Sequence, residues 1–277
     1  MGRVMRLVLV AVLGLLGVGC ERAEAQDSTR DQPAPAKSTE RAARPVTTWL
    51  ADEDWSARER RDGALRRRDS TVKRLFSRAG VAFPPKQLLF RAFKAENQLE
   101  VWAASLAEGP LRRVAVYEIC AASGELGPKR REGDKQVPEG FYRVSFFHDH
   151  SRFHLAMRVD YPNAADRHFG HPTEPGGDIM IHGDCRSIGC LAMSDERIEE
   201  LWVMATALRD ARPGAKVRVH MLPTRDMAGL LEKRRGDPHH AFWSNLNEGY
   251  ALFETTNELP AVSIDDGGQY RFAKAKR

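Results

Sequence analysis

Residues 1–46 cannot contribute to a core, and that limits what the rest of the chain must do. Arg3 and Arg6 make a positive start, Leu7 to Val18 an apolar stretch, and small residues lead to Cys20. This is the pattern of a signal peptide over 1–19, too short to span a membrane as a mature helix. The next segment, "ERAEAQDSTRDQPAPAKSTERAARPV", has almost no large apolar residue. It cannot bury enough surface to offset its ordering entropy, so 20–46 reads as a disordered tether. Its reach as a flexible linker is about 25–30 Å. About 230 residues then remain, enough for one good core with appendages. Export places that core where disulfides persist.

Formal charge is +5, and the excess is local: Ser56 to Arg78 holds nine Lys/Arg against three Asp/Glu. Leu65, Val72, Leu75 and Phe76 interrupt that run at helical spacing, which predicts an amphipathic helix within a helical segment over 47–84. Its basic face is either simply solvated or drawn to an anionic envelope polymer or lipid headgroup. An exported chain with no nucleic-acid motif excludes nucleic acid as a partner.

The middle alternates in the manner of strands. "QLLFRAFK" and "QLEVWAAS" flank a short turn, "RRVAVYEICA" follows, and "GFYRVSFF" and "RFHLAMRVDYP" flank "HDHS" as a second hairpin. "GDIMIHG" is a short strand ending at His182. Ile198, Leu201, Trp202, Ala205 and Leu208 then share one helix face, with Ser194 placed to cap its start. "AKVRVHML" returns as a strand. Two helices follow in an extension over 225–277, one with Asp237 as N-cap and Pro238 at its first position.

The stretch "IMIHGDCRSIGCLAMSD" packs His182, Cys185, Ser187 and Cys190 into nine positions, in a chain with four cysteines. Zinc would need a fourth ligand, and none lies at a standard spacing, so no metal and no cofactor is expected. "HDHSRFH" reads as a solvated turn. A Cys185–Cys190 bridge would close a very small loop, whereas Cys120 and Cys185 both lie on or beside predicted strands and make the better disulfide. Cys190 is then the odd thiol. His182 upstream and a helix start downstream are both features that lower a thiol pKa. Gly189 permits a tight turn, and the N–H groups of Gly189 and Cys190 are candidate oxyanion donors. Ser187 is placed to orient the imidazole or the loop. On spacing alone, a nucleophile and a buried inert cysteine remain equally good readings.

The same stretch resembles the active-site signature of L,D-transpeptidases of the YkuD type, in which a strand ends in His-Gly and a loop leads to Ser/Thr-x-Gly-Cys; here these are "IMIHG" and "SIGC". Upstream, "SGELGPKRREGDKQVPEGFYRV" resembles the "G…GD..TPEG.Y.I" segment of that family. The resemblance covers about Leu88 to Met221. It implies a mostly β domain with peripheral helices (α+β), a YkuD-type β-sandwich over 85–224, with Cys190 as nucleophile and His182 as general base and acid. It implies attack on the amide after meso-diaminopimelate in a peptidoglycan stem peptide, through a thioester resolved by an amine or by water. Arg186, Lys129, Arg130 and Arg131 are then candidate partners for substrate carboxylates, Arg186 first.

Three departures from the family pattern matter. The loop from His182 to Cys190 is short, Ile188 stands where many members carry His, and "LAM" follows Cys190 where a polar residue is common. With "ELGPKRR", "IMIHGDC" and the C-terminal helix pattern, these features resemble the YafK/DpaA branch, in which at least one member is an amidase that releases a lipoprotein from peptidoglycan. This implies a hydrolase freeing peptidoglycan-linked protein. The alternatives are a transpeptidase that crosslinks stem peptides or attaches lipoprotein, and a peptidoglycan-binding module without turnover. The stretch Leu16-Gly17-Val18-Gly19-Cys20 resembles a lipobox, with Gly17 where Leu is usual. It implies lipidation of Cys20 and a periplasmic, membrane-anchored lipoprotein.

Overall fold

A computed structural model of the protein describes residues 46–274, with side chains from Ser56 onward. The signal peptide, Cys20 and nearly all of the tether lie outside the described residues. The described residues open with a long helix, α1 (Val46–Ala79). Its buried stripe is Ala57, Ala64, Val72 and Phe76, while Leu65, expected to face inward, is exposed. The basic face is largely engaged within the molecule. Arg67 and Arg68 bond to Glu199, Arg61 to Asp149, and Arg60 to the carbonyls of Ser151 and His154. Neither a merely solvated face nor a free polyanion surface describes these four arginines.

An antiparallel meander follows: β1 (Gln87–Phe93), β2 (Gln98–Ala104) and β3 (Arg112–Glu118). Next come β4 (Gly140–His148), β5 (Ala156–Val159), the short helix α2 (Ala164–Phe169), β6 (Met180–His182) and β7 (Leu191–Ala192). Helix α3 (Asp195–Ala211) leads to β8 (Arg218–Leu222). The extension supplies α4 (Met227–Lys233), α5 (His240–Thr256) and a hairpin of β9 (Ala261–Ile264) and β10 (Tyr270–Ala273). The strand order is β3-β2-β1-β8-β4-β5-β6-β7, with β1–β8 and β6–β7 parallel. Past β7, Ala192 bridges to Ala121 just beyond β3, so the two ends of the sheet meet at one point. The fold is mostly β with helices outside it, as the sequence pattern and the resemblance implied.

Alternation along the strands separates two faces. One face carries Leu88, Phe90, Val144, Val159, Ile181 and Val219, all buried in the main core with Ile198, Leu201 and Leu208 of α3. Burying each such side chain contributes roughly 1.5–3 kcal/mol. The other face carries Leu89, Arg91, Phe141 and His220, and α5 with the β9–β10 hairpin covers that part of it through Trp243, Phe253 and Tyr270. Gly249 on α5 is required there, because a Cβ would sit 2.6 Å from Phe141 Cζ. Asp237 is not the cap of α5. The helix starts at His240 after His239, and Asp237 instead closes the preceding turn by accepting from the His239 N–H at 2.8 Å.

Candidate active site

Parallel pairing of β6 with β7 sets Ile181 opposite Leu191 and His182 opposite Ala192. Cys190 therefore arrives one residue before the pair, beside Met180. Met180 and His182 share a strand face, being two residues apart. The Met180 N–H donates to Cys190 Sγ at 3.4 Å, and the thiol lies 3.8 Å from the Asp178 carbonyl. His182 is almost wholly buried, under the ring of Phe153 at 4.8 Å between centroids. Its Nδ1 lies 2.5 Å from the carbonyl of Gly183. That carbonyl can only accept, so Nδ1 carries the proton and Nε2 is the basic nitrogen.

The loop between them is tied locally. Ser187 Oγ accepts from the N–H groups of Gly189 (3.2 Å) and Cys190 (2.9 Å) and donates to the Cys190 carbonyl (2.7 Å). Ser187 thus orients the loop, while both candidate oxyanion donors are engaged by its hydroxyl. Gly189 has φ +131°, and a Cβ there would meet the Gln136 carbonyl at 3.4 Å, so the turn favours glycine. Cys185 is joined to Cys120 by a disulfide, with Cα atoms 5.3 Å apart, which ties the middle of the loop to the chain just after β3. Cys190 is the free cysteine among the described residues. Those residues contain no group of three or more His, Cys, Asp or Glu side chains able to hold a metal ion.

The thiol is not activated in the resting state in the way expected from spacing. Burial pushes the Cys190 pKa up, aided by Asp178, against the Met180 N–H bond and the charge of Lys129. The helix start does not reach it: β7 intervenes, and the first turn of α3 is capped by Ser194, which accepts from the Arg197 N–H. Burial also pushes His182 below the usual imidazole range, against its bond to Gly183 and the charge of Asp184. Thiol and neutral imidazole are the resting forms.

Arg186, the favoured carboxylate partner, is exposed and forms an ion pair with Asp184. The cation whose field reaches Cys190 is Lys129, which is buried and bonded to Asp134 (2.6 Å) and the Arg131 carbonyl (2.8 Å). Asp134 also accepts from the backbone N–H groups of Arg130, Arg131 and Gln136. One carboxylate thereby folds "KRREGDKQ" into a knot beside Gly189. An Asp closing back on preceding N–H groups is a local turn signal, but its placement against Cys190 is tertiary. Arg130 stacks between Phe169 and Phe242. Phe153 and Met180 were not anticipated as neighbours of the pair.

Residues 86–219 match the L,D-transpeptidase catalytic domain, YkuD. YafK of Escherichia coli K12, a protein whose own L,D-transpeptidase assignment is provisional, is 37% identical over 178 residues, covering 63% of this chain and 70% of the relative. The chain belongs to the YkuD-type L,D-transpeptidase family. The YafK protein of E. coli O157:H7 gives the same figures. Among solved structures, the helical cell shape determining protein Pgp2 of Campylobacter jejuni is similar at TM-score 0.40 and 21% identity, covering 61% of this chain and 57% of that one. Bd1075 of Bdellovibrio bacteriovorus is similar at TM-score 0.36 and 18% identity, covering 62% and 59%. This chain thus spans less than two thirds of either solved chain. Members of the family are extracytoplasmic cysteine acyltransferases acting on peptidoglycan stem peptides. Among the described residues no helix is long and apolar enough to cross a membrane.

Proposed function

We propose that the protein cleaves the amide after meso-diaminopimelate in peptidoglycan stem peptides and releases covalently attached protein. The observation that carries this reading is the register of β6 against β7, which sets the odd thiol Cys190 beside the strand ending in a buried, neutral His182. His182 Nε2 takes the Cys190 proton as sulfur attacks the carbonyl carbon. The imidazolium returns that proton to the leaving amine, and a thioester remains. Water, deprotonated by the same imidazole, releases the acid and restores the thiol. The N–H groups of Gly189 and Cys190 stabilise the oxyanion once it displaces the Ser187 hydroxyl from them. Lys129 and Arg186 are the cations for stem-peptide carboxylates. Cys20 is the lipid attachment site that holds the enzyme at a membrane facing the periplasm.

Hydrolysis is favoured over crosslinking by the openness of the loop. Ile188 is 81% exposed, and the Arg186 side chain is 75% exposed. On the loop side, little protein stands to exclude water from a thioester at Cys190 or to obstruct a bulky branched donor. The test is to incubate the purified chain with uncrosslinked tetrapeptide muropeptides and, separately, with peptidoglycan bearing a covalently attached lipoprotein. Release of intact lipoprotein without new diaminopimelate–diaminopimelate dimers is the expected result. Accumulation of such dimers, lost in Cys190→Ala, replaces this reading with transpeptidation. Mass analysis of the mature N-terminus checks for a diacylglycerol on Cys20.

A further inference from the structure

The covered face of the sheet does not end flush against its cover. A cleft of about 540 Å³ opens between strands β4 and β8 on one side and residues 259–264 on the other. That volume lies within the range of small-ligand sites. Register fixes its floor: Phe141 lies opposite His220, and Arg143 lies directly opposite Arg218. Like charges directly opposite across two strands are destabilising, so the pair calls for an anion.

Among the described residues that line the cleft there is one, Asp160, and it is already engaged. Asp160 accepts from the Arg143 backbone N–H at 2.8 Å and from Arg143 Nε at 2.9 Å. The Arg218 guanidinium has no hydrogen bond or ion pair among the described residues. Arg218 is exposed at the cleft mouth; partial desolvation of its guanidinium first and the like charge of Arg143 second lower its pKa, with Asp160 opposing. The cleft wall is an edge strand. β9 pairs with β10 alone, so its other edge keeps backbone N–H and C=O groups unpaired. Phe141 and His220, in ring contact at 4.6 Å, give the floor an apolar end.

We propose that this cleft binds a carboxylate of an extended peptide, held between Arg143 and Arg218 and laid along the free edge of β9. Two guanidinium groups provide the charge-assisted bonds, and the strand edge provides the backbone ones. The same sheet face carries Cys190 farther on, past β5, where Arg158 lies opposite Phe146 and forms an ion pair with Asp178 at 3.6 Å. Strand spacing puts the cleft on the order of 15–20 Å from the thiol. An extended chain covers that in about five residues. A stem peptide as the occupant rests on the reaction proposed above; the cleft as a carboxylate site does not.

The test uses the full chain with Cys190→Ala, so that nothing turns over. Binding of soluble stem tetrapeptide is measured by calorimetry, and protection of residues 259–264 by hydrogen exchange. Arg218→Gln is expected to weaken binding at least tenfold and to remove the protection. Arg218→Lys is expected to keep part of both, and a tetrapeptide with amidated carboxylates to bind no better than to Arg218→Gln. Because Arg218 has no partner among the described residues, Arg218→Gln should melt at or above the temperature of its parent. Equal binding by Arg218→Gln and its parent, protection confined to residues 178–190, or a melting point lowered by several degrees would each overturn the proposal. Labelling of Cys190 by a thiol probe in the otherwise unaltered chain reads the reaction separately.

Discussion

Arg91 and Arg218 lie on the same face of the same sheet, on adjacent strands, and have opposite fates. Arg91 is 1% exposed. It pairs with Glu254 at 2.7 Å and Glu100 at 3.4 Å, and it sits over the rings of Phe253, Phe93, Tyr250 and Trp102. Arg218 faces a cleft and has no hydrogen bond or ion pair among the described residues. The difference is the cover: α5 lies over Arg91 and stops short of Arg218. The strands beyond lie outside that cover: His182 is buried there under Phe153 instead, and Cys190 is half-buried. A covered polar group must be satisfied internally or it destabilises the fold. An open one is free to meet something else. That open half lacks the α5 cover, and its loops are held by other means: the Cys120–Cys185 disulfide, the three Ser187 bonds and the Lys129–Asp134 pair.

The sharpest way to break this contrast is to remove chemistry from the open half without touching its ties. Cys190→Ala should abolish acylation and turnover while leaving the melting curve essentially in place, because the thiol makes only two weak contacts. Cys185→Ala should do the reverse. It opens a bridge between residues 65 apart in sequence, which by loop entropy contributes about 4 kcal/mol. The urea midpoint of Cys185→Ala should fall, while the Cys190 of refolded molecules still reacts with a thiol probe. Loss of probe reactivity in Cys185→Ala with stability intact would reverse the roles of the two cysteines.

Much of this division can be read from the chain, and the rest cannot for a physical reason. Strand alternation and the Ser194 cap are local, and they place β1 to β6 and α3 close to where they occur. Cys120 and Cys185 both lie on or beside strands legible in the chain, which makes them the better pair, but that these two strand ends meet is tertiary. What the chain does not show is which face each helix covers. The arginines of α1 read as a solvated run because their partners, Glu199 and Asp149, lie more than 80 residues away. Asp237 has an N-cap's composition, yet the helix starts only at His240 because a turn through Asp237 precedes it. Arg186 stood out as the cation in the loop, but Asp184, two residues away, takes its charge. The charge of Lys129 is felt at the thiol, and Lys129 is held by Asp134, which folds its loop back.

The covered half should show its dependence on internal pairing next. Arg91→Met removes one partner of a buried network and leaves Glu100, whose carboxyl burial pushes up and whose bonds from Trp102 and Arg225 hold below the usual range, with one cation fewer. The expected loss is about 3 kcal/mol, measured by equilibrium urea unfolding. Arg218→Met should stay within about 0.5 kcal/mol of the parent. Similar losses for both would mean that cover does not decide the role of an arginine on this face.

The smallest expected effect concerns protonation at the open end, and its sign follows from the groups around the thiol. Burial raises the Cys190 pKa and lowers that of His182. As pH rises the imidazole therefore loses its proton first, and the thiol follows only above the range of an ordinary cysteine. Inactivation by iodoacetamide should rise along a single limb centred on the alkaline side of free cysteine. Lys129→Met removes the cation that favours the thiolate and should move that limb further up. Asp178→Asn removes the neighbouring negative charge and should move it down. A reactive plateau persisting below about pH 6 would mean a preformed thiolate–imidazolium pair, as in sites where an imidazolium holds the thiolate at acid pH. The open half would then be polarised before substrate arrives. Without that plateau, the proton leaves the thiol only as sulfur attacks the bound carbonyl, with the neutral His182 imidazole accepting it.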